Sequence, residues 1–206
     1  MTKSTLPILL LAAGAARRMR GADKLLEEVD GQPLLRRQAE QARAATAGPV
    51  IVTLPPHPHG RYAALSELDV TALPVPNATE GMGLSIAAGI KALPDESPAV
   101  LIVLADLPDL KAEDFTNVLE AVDSYPNSRI WRGTTSQGKP GHPIAFHASL
   151  FPQLEALPGD DGGRRIVAEN KDRVTLVPLP GNRALNDLDT PEDWARWRAH
   201  RQEIGG

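Results

Sequence analysis

Leu6-Pro7-Ile8-Leu9-Leu10-Leu11-Ala12-Ala13-Gly14-Ala15-Ala16-Arg17-Arg18-Met19-Arg20-Gly21-Ala22-Asp23-Lys24 is the stretch whose reading decides the fold. Its first third is aliphatic and has the length of one strand. A continuous apolar run bounded by Pro and Gly fits a strand buried on both faces of a parallel sheet; it is too short for a buried helix. The run then breaks into small residues and ends in the cations Arg17, Arg18, Arg20 and Lys24. Small residues let a ligand approach the main chain closely. Clustered cations suit a polyphosphate. The reading is a nucleotide site built around this loop; the plainer alternative is a strand–loop–helix turn with a solvated basic edge.

The same grammar repeats along the chain. Gly31-Gln32-Pro33 opens a helix with Pro near its first turn. Leu34, Leu35, Ala39 and Ala42 form its inner stripe, and Arg36, Arg37, Glu40, Gln41 and Arg43 are expected to face water. Strands are expected at 50–52 and 70–75, with a short helix at 62–68 between them. Residues 77–85 form a second small-residue segment that leads into a helix at 86–93. Residues 99–105 carry the strongest strand signal, which ends at Asp106, and a helix follows at 112–122. Alternating strands and helices predict a doubly wound α/β sheet.

The remainder is less regular. Short strands are expected at 129–132, 143–146 and 174–177, and helices at 149–157 and 164–170. Thr190-Pro191-Glu192-Asp193 reads as the start of a last helix, with Thr190 as its N-cap. No linker or repeat is visible. The chain reads as one domain over 1–206, with the irregular part at 129–182 as an insertion walling an acceptor site.

Composition narrows the function. The 206 residues carry 22 Lys and Arg against 26 Asp and Glu, so the chain as a whole is no electrostatic glove for nucleic acid. Aromatic content is 4%, which makes the core aliphatic. Cysteine is absent, which excludes disulfides, thiolate nucleophiles and Cys-ligated metals. The first apolar run is too short, and too soon followed by Arg, for a signal peptide or membrane span. The expectation is a cytoplasmic protein with no membrane partner.

Four clusters carry possible chemistry. The opening loop lacks the Gly-Lys-Ser/Thr of a Walker A loop and the Gly-x-Gly-x-x-Gly of a dinucleotide-binding turn. Asp106 ends a buried strand, where open α/β sheets bind ligands. A carboxylate there, beside phosphates, is a usual Mg²⁺ ligand; a helix-capping role suits Asp109 better. In Asn186-Asp187-Leu188-Asp189, alternation puts both Asp side chains on one side of an extended segment. One of them, with Asp189 preferred, supplies a second metal carboxylate or else helps Thr190 cap the helix. In 159–164, glycines, carboxylates and arginines at a helix start suit a phosphate-bearing acceptor or a solvated turn. Among the five histidines, His142, held between Gly141 and Pro143, is the candidate to contact substrate, and none has zinc-site spacing. Ser85 has no His partner for a hydrolase triad.

With these residues in view, the chain resembles the nucleotidyltransferases of molybdenum-cofactor biosynthesis, the molybdenum cofactor cytidylyltransferases and the molybdopterin-guanine dinucleotide synthase-like proteins. The resemblance rests on Leu11-Ala12-Ala13-Gly14, Arg18-Met19 with Lys24, and Gly81-Met82-Gly83-Leu84-Ser85. It continues through Asp106-Leu107-Pro108, Gly141-His142-Pro143, Gly159-Asp160-Asp161-Gly162 and the run from Asp187 to Asp193. It spans nearly the full length. The chain departs from the family at Ala16, where Ser is frequent, at Leu107, where the cytidylyl branch often has Gln, and at Arg20, which lengthens the loop.

The resemblance implies a three-layer Rossmann-like, nucleotide-diphospho-sugar transferase fold with a mostly parallel mixed sheet. It implies that Leu11, Ala12, Ala13 and Gly14 read the base and that Asn77, Gly81 and Ser85 lie by base and ribose. Arg18 and Lys24 would hold phosphates, and Asp106 would bind Mg²⁺; the second carboxylate, Asp189, is added from the residue pattern alone. From the residue pattern, His142, Asp160 and Arg164 are the candidates to meet the acceptor. The reaction implied is transfer from an NTP to the phosphate of molybdopterin with loss of pyrophosphate. Gly-His-Pro resembles the cytidylyl branch, which favours CTP over GTP. Transfer to a sugar phosphate and a non-catalytic carrier of cofactor to a molybdoenzyme are the alternatives.

Overall fold

The structure, a computed structural model, describes residues 3–159 and 161–205. The opening aliphatic run forms β1 (Ile8–Leu11), buried throughout. A small hairpin follows, β2 (Glu28–Val29) with β3 (Gln32–Pro33). Pro33 stands immediately before α1 (Leu34–Ala45), as its fixed φ favours. Next come β4 (Val50–Leu54), the single turn α2 (Arg61–Ala64), β5 (Thr71–Pro74), α3 (Met82–Lys91), β6 (Ala99–Leu104) and α4 (Ala112–Ser124). The chain continues with β7 (Ile130–Thr134), β8 (Pro140–His147), α5 (Phe151–Glu155), α6 (Arg164–Glu169), β9 (Val174–Pro178) and α7 (Pro191–Gly205).

Seven strands make one sheet in the order β5-β4-β1-β6-β8-β7-β9. Strand β8 runs antiparallel to both its neighbours, and the other pairings are parallel. This is the mostly parallel mixed sheet the resemblance implied. Period-two alternation divides the core into two layers. Ile8 and Leu10 of β1 pack with Leu34, Leu35 and Ala39 of α1, Phe115 and Val118 of α4, and Trp194 and Trp197 of α7. Leu9 and Leu11 pack on the other face with Ile86 and Ile90 of α3, Leu154 of α5 and Ile166 of α6.

The helix starts follow local chemistry. For α7, the Asp193 amide donates to Thr190 Oγ1 at 3.1 Å, and the Thr190 amide donates to Asp193 Oδ2 at 2.9 Å, a reciprocal capping box. For α4, the cap comes from Asp114, which accepts from the Lys111 amide at 2.9 Å. Asp109 therefore does not cap that helix; it accepts from Trp197 Nε1 at 2.9 Å and from Asn186.

Several expectations are corrected. Helix α3 begins at Met82, not residue 86, because Gly81 at φ +137° makes the turn there, a conformation L side chains rarely adopt. The helix expected at 62–68 is only the turn α2. Arg37 and Gln41 are docked instead of solvated: Arg37 donates to the Pro108 carbonyl and Gln41 accepts from the Ala112 amide. Residues 129–182 are no insertion beside the sheet, since they supply its three strands β7, β8 and β9. Among the described residues, no helix is long and apolar enough to cross a membrane.

Candidate active site

The carboxyl ends of β1 and β6 open into a cleft of about 890 Å³. Parallel pairing of these neighbours places Ala12 and Asp106 on one edge, where α/β sheets bind ligands. Leu11, Ala12, Ala13 and Gly14 all line this cleft. Beyond them the chain makes a short 3-10 turn, Arg17–Met19, that buries Met19 and leaves Arg17 and Arg18 outward.

Arg61, only 2% exposed, holds the loop from beneath. Its Nη1 donates to the Ala12 carbonyl at 2.6 Å and the Gly14 carbonyl at 2.9 Å. Its Nε and Nη2 donate to the two carboxylate oxygens of Asp23 at 2.8 and 2.7 Å. Two loop carbonyls are thereby turned toward the interior, and the residue before Lys24 is fixed.

Lys24 sits at the centre of the site. Its Nζ donates to Asp106 Oδ2 and to Asp189 Oδ1, each at 2.6 Å. Burial pushes the ammonium down, but the two carboxylates outweigh it and hold Lys24 above the usual lysine range. Arg18 donates to the other oxygen of Asp189. Burial, then the nearby Asp106 and Asp189, push the Asp187 carboxyl above its usual range. Asp106 Oδ1 is buried and has no hydrogen-bond partner. A buried carboxylate oxygen without a partner is costly. Hard oxygen donors of this kind fit Mg²⁺, so the residues present suit a divalent cation held by Asp106 with Asp189 as the second carboxylate. Among the described residues, no cluster of three His, Cys, Asp or Glu is poised to hold a metal.

The far wall comes from β7, β8 and the segment leading into α6. His142 lines the cleft, and its imidazole is pushed down to about 4, first by burial and then by Arg132, against the pull of Asp106. It is neutral at physiological pH. Arg132 Nε donates to the Gly141 carbonyl at 3.0 Å. Asp161 Oδ1 accepts from the Gly163 amide at 2.9 Å and shapes the turn before Arg164.

Most of the expected site residues therefore meet in one cleft: Leu11 to Gly14, Arg18, Lys24, Gly81, Ser85, Asp106, His142, Arg164 and Asp189 all line it. Ser85 does so from within α3, nearly buried. Asn77 does not join them; it is exposed, and its carbonyl closes the following turn by accepting from the Glu80 amide at 3.0 Å. Asp160 lies outside the described residues. Asp189 leaves the capping of α7 to Asp193 and turns its carboxylate to Lys24 and Arg18. Arg20 pairs with Glu192 at 2.7 Å. Sequence reasoning missed Arg61, Asp23 and Arg132. The only available signal for Arg61 was an arginine right after His57-Pro58-His59-Gly60, in the loop at the carboxyl end of β4.

Comparison with known proteins places the chain. Purine catabolism protein PucB of Bacillus subtilis is 27% identical over 201 residues, 90% of this chain and 92% of that one. A protein named "Probable molybdenum cofactor guanylyltransferase" from a Nostoc species is 30% identical over 194 residues, 93% of this chain and 90% of that one. The crystal structure of Rv0371c from Mycobacterium tuberculosis in complex with manganese superposes with a TM-score of 0.76 at 22% identity, over 94% of this chain and 97% of that one, which is a likeness of fold. Residues 8–174 match the family model described as the MobA-like NTP transferase domain, and the chain belongs to that family of nucleotidyltransferases.

Proposed function

We propose that this nucleotidyltransferase moves a cytidylyl group from CTP to the terminal phosphate of molybdopterin. The observation that carries the reading is Lys24 clasped between Asp106 and Asp189 at the foot of the Leu11–Gly14 loop, with Asp106 Oδ1 still unpartnered. A phosphate oxygen of the acceptor attacks the α-phosphorus. The bond from that phosphorus to the bridging oxygen breaks, and pyrophosphate leaves with the electron pair. The attacking phosphate is already anionic, so no strong base is required. Catalysis is then positioning and charge neutralisation. The Leu11–Gly14 loop positions base and ribose together with Gly81 and Ser85. Arg18 and Lys24 exchange their carboxylate partners for phosphate oxygens and hold the leaving pyrophosphate. His142 and Arg164 meet the acceptor. Asp106 and Asp189 would hold Mg²⁺, and such an ion would supply further neutralisation of the reacting phosphates; the manganese complex of Rv0371c supports a divalent ion at such a fold.

Gly141-His142-Pro143 favours CTP, whereas the relatives named for guanylyl transfer support GTP as the second reading. Pyrophosphate release from ATP, CTP, GTP and UTP in turn, with Mg²⁺ and molybdopterin, tests both. The fastest release is expected with CTP; faster release with GTP replaces CTP. No release with any of the four removes molybdopterin as the acceptor.

A further inference from the structure

We propose that Arg132 and Arg164 form a paired-arginine subsite that binds the acceptor's phosphate. Calling the ligand an acceptor rests on the nucleotidyl-transfer reading above, but the phosphate site itself stands apart from it.

The argument begins with the backbone. In β7, Trp131 points into the core layer of α1, α4 and α7, while Ile130 packs in the layer of α3, α5 and α6. Side chains alternate along a strand, so Arg132 shares the face of Ile130. That face is covered by α6, whose Ile166 packs in the same layer and whose first residue is Arg164. Both arginines line the cleft. The sheet order puts three strand steps between β1 and β7, about 14 Å at about 4.8 Å per step. The pair is therefore well separated from the loop that carries Arg18.

The charges around the cleft make the pair unusual. Lys24 is shared by two carboxylates and Arg18 is paired with Asp189. On the loop side, Arg17 reaches the Thr79 carbonyl. Arg165 turns to Asp161 and Glu169. By contrast, Arg132 uses only Nε, on the Gly141 carbonyl, and no described carboxylate pairs with either Arg132 or Arg164. The two guanidiniums feel one another, and Arg164 adds to burial in lowering Arg132. Two like charges close to one another are unfavourable, and a dianion with several acceptor oxygens relieves this by taking both forks. His142 lines the same cleft, and burial and Arg132 hold its imidazole well below the ordinary value.

Inorganic phosphate is the probe, and titration calorimetry on the intact protein is the measurement. Arg164 is exposed, so Arg164→Gln is expected to keep the fold; Arg132→Gln and Arg132→Lys complete the set, with melting curves as the check. Either Gln variant is expected to weaken phosphate binding by about tenfold or more, the loss of one charge-assisted fork. Arg132→Lys is expected to retain part of it. CTP affinity is expected to survive in Arg132→Gln and Arg164→Gln. Phosphate binding that is absent from the wild-type protein, or unchanged in folded Arg164→Gln, overturns the subsite. If no nucleoside triphosphate binds, the nucleotidyl-transfer reading fails alone, because the phosphate titration still decides the pair.

Discussion

Arg61 and Asp23 form a two-pronged pair beneath the Leu11–Gly14 loop, with Nε and Nη2 of the arginine at 2.8 and 2.7 Å from the two carboxylate oxygens. The third nitrogen, Nη1, grips the Ala12 and Gly14 carbonyls. One buried cation thus satisfies four acceptors that otherwise have to be desolvated together.

The first prediction concerns this pair. Arg61→Ala leaves Asp23 without its buried partner, and breaking such a pair from one side costs about 3–5 kcal/mol. Urea unfolding is expected to show a loss of that size. The double variant Asp23→Ala with Arg61→Ala is expected to lose less than the sum of the singles, because the unpaired carboxylate is then gone too. Additive losses count against the pair as a unit.

The second prediction concerns Asp106. The Asp106→Ala variant is expected to abolish pyrophosphate release, with a drop of about a hundredfold or more, as when a key charge is lost from a preorganised site. Lys24 keeps Asp189 at 2.6 Å, so the thermal melt is expected to change little. Retained turnover at saturating Mg²⁺ sinks the metal-ligand role. A chelator added to the wild-type protein is expected to reproduce the loss, and Mg²⁺ to restore it.

A third prediction follows from His142. Its folded-state pKa of about 4 lies below the ordinary value of 6.5. Between these values the unfolded chain binds a proton that the folded chain refuses, so stability rises with pH across that window. Acidification from pH 6.5 toward 4 is therefore expected to lose stability by this route, while above 6.5 the contribution is flat. The slope is measured by urea unfolding at several pH values, and His142→Gln is expected to flatten it. An unchanged slope in that variant assigns the acid sensitivity elsewhere.

The centre of the sheet was legible because β1 and β6 are uninterrupted aliphatic runs, and the runs of β1, β4 and β6 soon meet Gly, Pro or Asp. Asp106 was legible for the same reason: a carboxylate directly after the most apolar strand needs a partner. The strands of the second half were expected, but read as an insertion, because β8, preceded by Gln137-Gly138-Lys139 and containing Gly141 and Pro143, carries punctuation that reads as loop. Their place in the sheet is set by pairing with each other and with β6, which is non-local. Arg61 was illegible because a buried arginine looks like a surface one until its acceptors, 38 and more residues away, are brought to it. Asn77 failed for the opposite reason: a polar residue in a small-residue segment serves a turn as readily as a ligand.

The last prediction separates the cleft wall from the core using two glycines of one helix. A Cβ on Gly83 would lie 2.1 Å from the Pro158 carbonyl oxygen and 2.8 Å from that of Asp161, both main chain, and the Gly83 amide donates to the Gly159 carbonyl at 2.8 Å. Gly83→Ala must therefore push the 158–163 segment off the start of α3, and with it the turn that presents Arg164. A Cβ on Gly89 would instead meet the buried Leu9 side chain at 2.4 Å, on the core side of the same helix. Overpacking of either kind costs about 1–3 kcal/mol, so both variants are expected to melt lower. Only Gly83→Ala is expected to raise the KM for molybdopterin more than that for CTP, because only its collision displaces a wall of the cleft. Equal KM changes for both substrates in Gly83→Ala, or the same split in Gly89→Ala, would show that the 158–163 segment does not meet the acceptor.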